Sequence, residues 1–165
     1  MNSTTVSEKA GASLIALTRI VREGYGTGAW HGPDMKAALA EVTKEVAFWR
    51  PALQRHNIAE IALHHAYCVH AVRTKLAGKA PGPFALEGDD WFEATGREPM
   101  TWPKILDLVR AEQEQLAALV EEIAQGTRKP AVSDGECLDL VLGITCHAVY
   151  HAGQVQLLKR LNEPR

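Results

Sequence analysis

Two histidines four residues apart, His147 and His151, lie in the otherwise apolar stretch ITCHAVYHAGQVQ, residues 144–156. On an α-helix this spacing places the two imidazoles one turn apart on the same face, so both can approach a single cation. A buried polar group without a partner costs roughly 1–3 kcal/mol, so two buried imidazoles need partners. The spacing therefore indicates either a metal site or two core histidines that hydrogen-bond to neighbouring hydroxyl or carbonyl groups.

Steps of three and four residues through this segment define one helical face, which is apolar at both ends and polar in the middle. The face consists of Cys137, Leu140, Ile144, His147, His151, Gln154 and Leu158. Both histidines are therefore predicted to point into the core. Gln154 lies one turn beyond His151, where it either orients a ligand or makes a packing hydrogen bond. Cys146 is interpreted either as a reactive thiol beside His147 or as a small buried hydrophobe.

A metal site needs at least one more ligand, and the candidates lie in IAEIALHHAYCVHAV, residues 58–72. His65 falls in the most apolar stripe of this predicted helix, and His64 falls at the edge of that stripe. Periodicity therefore leaves the choice between these two histidines open, with a slight preference for His65. His70 falls on the more polar side and is predicted to face solvent. His56 precedes the helix and is predicted to be an ordinary surface residue.

Every long segment has helical periodicity and none alternates as a strand does, so the sequence predicts an all-α fold. Residues 79–100 form a connection long enough to let the second and third long helices run in the same direction. Capping-box patterns at Asn57 and Ser133 mark the starts of the second and fourth long helices. The prediction is a single domain over residues 1–165, an up-down-down-up four-helix bundle. The long helices are predicted at residues 7–23, 57–76, 101–124 and 133–161, with shorter ones at residues 33–42 and around 43–51.

The composition excludes several classes of function. The net charge is −2 and the pI is near 6.4, and no run of basic residues forms a patch suited to nucleic acid. No apolar run approaches the roughly 18 residues of a membrane span, and the N-terminus lacks the basic start of a signal peptide. Three cysteines without a CxxC pair are typical of a reduced, cytoplasmic chain.

Three stretches together resemble the DinB-like superfamily, which includes the YfiT-like proteins. HAVYHAGQVQLLKR, residues 147–160, is similar to that family's ending of two histidines four apart, Gly-Gln, an aliphatic turn and basic residues. Residues 58–78 are similar to its second helix, in which a histidine follows a Glu-aliphatic pair. Counting from Glu60 places that histidine at His64. AWHGP, residues 29–33, resembles a loop found in one branch of the family.

The resemblance implies an up-down-down-up four-helix bundle and a divalent metal ion, zinc or nickel, bound by His64, His147 and His151. It also implies a homodimer. Characterised members include S-transferases that use a low-molecular-weight thiol, a thiol-dependent isomerase, and proteins assigned as metal-dependent hydrolases. We therefore expect a metal-dependent thiol transferase or hydrolase that acts on a small molecule. The alternative is a non-enzymatic metal-binding or stress-response protein with a structural or sensory metal.

Three imidazole ligands leave a coordination position open, as in catalytic zinc sites. An ion in such a site favours the deprotonated form of a bound water or thiol. Aromatic residues that flank the expected ligands or lie on the irregular segments are candidates for the pocket wall, although Trp30 and Trp102 are more readily interpreted as core anchors. Tyr150 lies off the histidine face and is predicted to make a helix or dimer contact. The wall candidates are Trp30, His31, Tyr67, Trp91 and Trp102.

Overall fold

The regular secondary structure of the chain is helical throughout the part that the structure describes. The computed structural model describes residues 16–26, 29–79, 83–88, 90–97 and 99–163. Helix α1 covers residues 16–25 of this part, and its predicted start at residue 7 lies outside the described residues. The prediction of an all-α fold is confirmed. The helices that follow are α2 (Met35–Leu39), α3 (Lys44–Phe48), α4 (Ile58–Ala77), α5 (Trp102–Ala124) and α6 (Asp134–Leu161).

The long helices begin at the residues that the capping patterns predicted. The Asn57 side chain accepts a hydrogen bond from the Glu60 amide, and the Glu60 side chain accepts one from the Asn57 amide, which completes the capping box of α4. At the start of α6, the Ser133 side chain accepts a hydrogen bond from the Glu136 amide. Thr101 occupies the N-cap position of α5 without a side-chain capping bond. Local capping chemistry thus fixes where α4 and α6 start.

Helix α2 is shorter than the sequence predicts. The Asp34 side chain accepts a hydrogen bond from the Ala37 amide, so the helix starts after Asp34 rather than at Pro33. Its C-cap, Ala40, is extended, and the next residue, Glu41, has a positive φ of 59°. The helix therefore ends before residue 42.

Two groups of buried apolar side chains form the core, and α4 contributes to both. Its N-terminal half, including Ile58 and Leu63, packs with α2, α3, the start of α5 and the end of α6. Its C-terminal half, including Val69 and Leu76, packs with α1, the end of α5 and the start of α6. Trp102 is buried, and its Nε1 donates a 2.7 Å hydrogen bond to the Val42 carbonyl, which confirms its interpretation as a core anchor.

A helix that crosses a bilayer needs about 20 predominantly apolar residues. None of the helical segments in the described part of the chain is both long enough and apolar enough to cross a membrane.

Two glycines that end helices offer a matched test of packing against backbone strain. Gly78 and Gly126 have φ of 65° and 70°, so a side chain at either position is strained. A Cβ at Gly78 would lie 2.6 Å from the Ala131 Cβ, whereas a Cβ at Gly126 would meet no described atom within 4 Å. The Ala131 amide donates to the Leu76 carbonyl, which holds Ala131 in place.

We expect Gly126→Ala to lower the free energy of unfolding by about 1 kcal/mol, and Gly78→Ala to lower it by about 2 kcal/mol or more because a steric clash adds to the strain. Urea denaturation of the two variants and the parent chain measures both losses. Equal losses at the two positions would show that Ala131 moves aside without cost.

Candidate metal centre

Three histidine side chains from two helices converge on one point. His64 of α4 and His147 and His151 of α6 each offer one ring nitrogen, and these nitrogens all lie within 4.8 Å of one another. His147 Nε2 lies 3.1 Å from His64 Nε2 and 3.1 Å from His151 Nε2. Two nitrogen ligands of a tetrahedral zinc ion with ordinary bond lengths are about 3.3 Å apart. The spacing of the three Nε2 atoms therefore fits a divalent ion.

The outer nitrogens of two of these rings are held by oxygen acceptors. His64 Nδ1 donates to the Asp90 carbonyl at 2.8 Å, and His151 Nδ1 donates to Gln154 Oε1 at 2.6 Å. A neutral imidazole carries one hydrogen, so a donating Nδ1 leaves a lone pair on Nε2. Both Nε2 lone pairs therefore face the shared point, where a cation would relieve their mutual repulsion. Such outer hydrogen bonds are also what orients histidine ligands in known metal sites.

A fourth histidine, His65, lies against the ring of His147 on the side away from the cluster. The Nδ1 atoms of His147 and His65 are 3.5 Å apart, and the two rings stack at a centroid distance of 5.7 Å. His65 is 1% exposed, and its Nε2 has no hydrogen-bond partner among the described residues. Periodicity correctly predicts the burial of His65, and His64 is also buried at 7% exposure. The structure brings His64 into the cluster and places His65 outside it.

Burial favours the neutral form of three histidine rings, those of His65, His147 and His151. Burial, followed by repulsion from His151 and His64, lowers the pKa of His147 to about 4. Burial also lowers the pKa of His151, although the hydrogen bond to Gln154 opposes this change. Burial and the neighbouring histidines lower the pKa of His65 to about 3. Because metals bind the neutral form of imidazole, the site does not have to release protons from these rings to take up an ion at neutral pH.

The buried face of α6 is rotated slightly from the predicted one. Of the seven residues predicted to share one face, Cys137, Ile144, His151 and Leu158 are buried, whereas Leu140, His147 and Gln154 are only half-buried. Because Val141, Ala148 and Val155 fill the packing interface instead, His147 and Gln154 lie at its edge beside the site. The buried residues of α6 are Cys137, Val141, Ile144, Ala148, His151, Ala152, Val155 and Leu158.

Trp91 from the long connection covers the cluster. Its ring stacks on His64 with centroids 4.0 Å apart and planes 4° apart. On its other side it stacks on His56 at 3.8 Å. His56 is exposed, as predicted, but it is not an ordinary surface residue, because its ring supports Trp91. Trp91 is the wall candidate that the structure places against the histidine cluster.

A buried carboxylate, Glu60, ties this connection to α4. It pairs with Arg50, accepts a 3.1 Å hydrogen bond from His56 Nδ1, and accepts another 3.1 Å bond from the Ala94 amide. Burial raises the pKa of Glu60, but the hydrogen bonds that it accepts, first among them those from Arg50, hold that pKa below its usual value. The charged carboxylate thus anchors the segment that carries Trp91. The capping-box pattern at Asn57 indicated Glu60 but not this second role.

The other predicted wall residues lie elsewhere. Trp30 is 94% exposed, so its interpretation as a core anchor is wrong, and no described residue covers it. His31 is exposed, and its Nε2 contacts the Glu23 carbonyl at 3.1 Å. Tyr67 is half-buried and packs edge-on against Phe84 and Phe92. The structure brings none of these three predicted residues into the histidine cluster.

His70 is buried, so its predicted exposure to solvent is wrong. It is 8% exposed, and its Nδ1 lies 3.1 Å from Glu112 Oε1 of α5. Arg73 donates to the same carboxylate at 2.9 Å. Helix α5 packs on the more polar side of α4 and contributes Glu112, which pairs with His70 and Arg73. Periodicity within α4 cannot reveal this contact.

Two cysteines lie near the site in sequence or in space. Cys68 Sγ lies 3.8 Å from His64 Nε2. Burial, together with the negative charge of Asp90, raises the pKa of the Cys68 thiol to about 11, so it stays protonated in the absence of an ion. Cys146 is exposed, so the interpretation as a small buried hydrophobe is wrong.

The described part of the chain is thus a helical protein with a candidate metal centre built from two helices. A family model of the DinB superfamily matches residues 29–155, which is more than half of the 165 residues, and the chain therefore belongs to the DinB superfamily. The three-histidine cluster fits a metal-binding member of this superfamily. Searches of curated proteins and of solved structures found no match.

Proposed function

We propose that this chain is a metal-dependent enzyme in which His64, His147 and His151 bind zinc or nickel through Nε2 and leave one coordination position open. The observation that carries the proposal is the convergence of these three nitrogens within 4.8 Å. The acceptors at Asp90 and Gln154 support it, because they fix which nitrogen of each ring faces the ion. We further propose that the helices form the up-down-down-up bundle that the resemblance implies.

The proposed reaction is thiol transfer to, or hydrolysis of, a small molecule. When bound, the ion would favour the deprotonated form of a water or of a low-molecular-weight thiol. Gln154 and the Asp90 carbonyl hold the rings of His151 and His64 in the binding orientation. Trp91 covers one side of His64 and limits the access of water there. A cavity of about 530 Å³ opens beside His151, which gives a substrate access to the site.

Cys68 supports one alternative, a structural or sensory metal in a protein that is not an enzyme. Its sulfur lies 3.8 Å from His64 Nε2, so a small rotation would make it a fourth ligand and close the coordination shell. X-ray absorption of the zinc-loaded chain distinguishes the two. A zinc–sulfur distance near 2.3 Å that is lost in Cys68→Ser favours the alternative, and a shell of nitrogen and oxygen alone favours the enzyme.

The metal content of the chain tests the proposal directly. We expect protein purified without a histidine tag to contain, or to take up, one zinc or nickel ion per chain, as measured by elemental analysis after gel filtration. His31→Ala is the control, because His31 is an exposed histidine outside the cluster and its loss leaves the stoichiometry unchanged. Protein that is metal-free and refuses both ions would overturn the proposal.

We also propose that residues 1–165 form one domain and that two chains form a homodimer. Because α4 contributes to both groups of core side chains, a single cooperative unfolding transition is expected. Light scattering on the purified chain should give twice the mass of 18.0 kDa. A mass of one chain would contradict the dimer without affecting the metal site.

A further inference from the structure

The cavity beside His151 is lined largely by apolar side chains, and the histidine cluster alone does not account for this lining. It is formed by the loop before α4, by Trp91 of the long connection and by the C-terminal half of α6. Most of the surface is apolar, its few polar groups include one arginine, and no carboxylate is present among the described lining residues. The lining includes Arg55, Trp91, Tyr150, His151, Leu157 and Leu161.

We propose that this cavity binds the substrate as an amphipathic carboxylate, with an apolar or aromatic body against the leucines and Trp91, and with the carboxylate held by Arg55 and the Tyr150 hydroxyl. This inference rests on the proposed function in one respect: the end of the substrate that reacts would face His151. The proposed recognition of the substrate's apolar part and of its carboxylate depends only on the residues of the cavity.

Arg55 is the cationic side chain of the described lining that is available to bind a ligand. The nearby Arg50 is committed to Glu60 and to the Arg55 carbonyl. The guanidinium of Arg55 forms no hydrogen bond or ion pair with a described residue, and its side chain is exposed. Because Glu60 is already paired with Arg50, it does not compete for Arg55. An arginine whose guanidinium is not paired with a described acid is suited to a planar carboxylate.

Tyr150 presents a hydrogen-bond donor to the same cavity. Gln154 Oε1 accepts from His151 Nδ1, so the amide nitrogen of Gln154 faces the other way and donates to the Tyr150 oxygen at 3.0 Å. An amide nitrogen can only donate, so the Tyr150 oxygen is the acceptor in that contact. The hydroxyl hydrogen of Tyr150, which is 65% exposed, therefore remains free for a ligand.

The apolar part of the cavity selects for the rest of the ligand. Leu157 and Leu161 are 58% and 55% exposed, so much of their apolar surface is in contact with solvent. Together with Trp91 they give an apolar surface that a hydrocarbon or aromatic body would cover, which is favourable by roughly 25 cal/mol per Å² buried. A volume of about 530 Å³ lies within the range of cavities that bind small organic molecules.

The test compares two probes with the same body, 4-phenylbutyrate and 4-phenylbutan-1-ol, by isothermal titration on zinc-loaded and on metal-free full-length chain. We expect the carboxylate to bind about tenfold more tightly than the alcohol in both forms, because a charge-assisted hydrogen bond contributes about 1.5 kcal/mol or more. Arg55→Gln should remove that difference, and Tyr150→Phe should reduce it about threefold. Arg110→Gln, on the outer surface of α5, is the control and should change neither affinity.

The outcomes separate this inference from the metal centre. Equal affinities for the two probes, or an affinity for the carboxylate that Arg55→Gln leaves unchanged, would overturn it. An affinity for the carboxylate that disappears on removing zinc would also overturn it, because the carboxylate would then be bound by the ion. Binding that depends on Arg55 in a chain with no affinity for zinc would support the inference and contradict the metal centre. Both substituted side chains are exposed, so the variants are expected to fold.

Discussion

His64→Ala is expected to lower the zinc affinity of the chain by at least about a hundredfold, and His65→Ala by only about tenfold. His64 Nε2 lies 3.1 Å from His147 Nε2 inside the cluster, so its removal deletes one of the three proposed ligands. His65 reaches only the outer nitrogen of His147, so its removal loosens the orientation of a ligand that is still present. Competition with a chromophoric zinc chelator at pH 7 measures both affinities.

His31→Ala is the matched control for this comparison, since it removes an imidazole that is exposed and outside the cluster. Its zinc affinity should equal that of the parent chain. The reverse ranking, with His65→Ala the weaker binder, would show that the more deeply buried histidine is the ligand and that α4 is rotated relative to α6. Thermal unfolding of each metal-free variant identifies any loss that comes from misfolding.

The sequence could narrow this choice to two histidines but could not make it from periodicity. Adjacent residues on a helix point about 100° apart, so one of the pair normally faces outward. Here α5, α6 and the segment around Trp91 cover α4 on several sides, and both His64 and His65 are buried. Hydrophobic periodicity measures burial, and it carries no information when both candidates are buried. The motif resemblance favours His64 as the ligand because it is tied to position in the motif rather than to burial.

Contacts between residues that are far apart in the chain could not be predicted from the sequence. The helix ends follow from local signals such as the capping box at Asn57, and these were predicted within a few residues. The stacking of Trp91 on His64 and the pairing of His70 with Glu112 join segments 27 and 42 residues apart. Neither contact has a local signature in the sequence. Trp91 was therefore only one of several candidates for the pocket wall, and His70 was wrongly predicted to face solvent.

The second large effect is expected at Glu60. Glu60→Gln should lower the free energy of unfolding by about 3 kcal/mol, because it keeps the shape of the side chain but leaves Arg50 without its counter-charge. Chemical denaturation measures this loss. Glu121→Gln, which breaks an exposed pair with Arg22, is the surface control and should cost less than about 0.5 kcal/mol.

Glu60→Gln should also affect the metal site, because the carboxylate accepts the Ala94 amide and so fixes the segment that carries Asp90 and Trp91. We expect about a tenfold loss of zinc affinity and faster hydrogen exchange at the Ala94 amide. Glu112→Gln provides the matched comparison. This carboxylate is also buried and also paired with an arginine, but it contacts His70 rather than the long connection.

Both buried variants should therefore lose stability, and only Glu60→Gln should lose zinc affinity. Equal losses of zinc affinity would mean that general destabilisation, rather than the position of Trp91 and Asp90, controls the histidine cluster. Unchanged affinity in Glu60→Gln would mean that α4 and α6 alone orient His64, His147 and His151. The expected difference between the two variants instead makes the long connection a working part of the site, since it supplies both the acceptor for His64 Nδ1 and the ring that covers it.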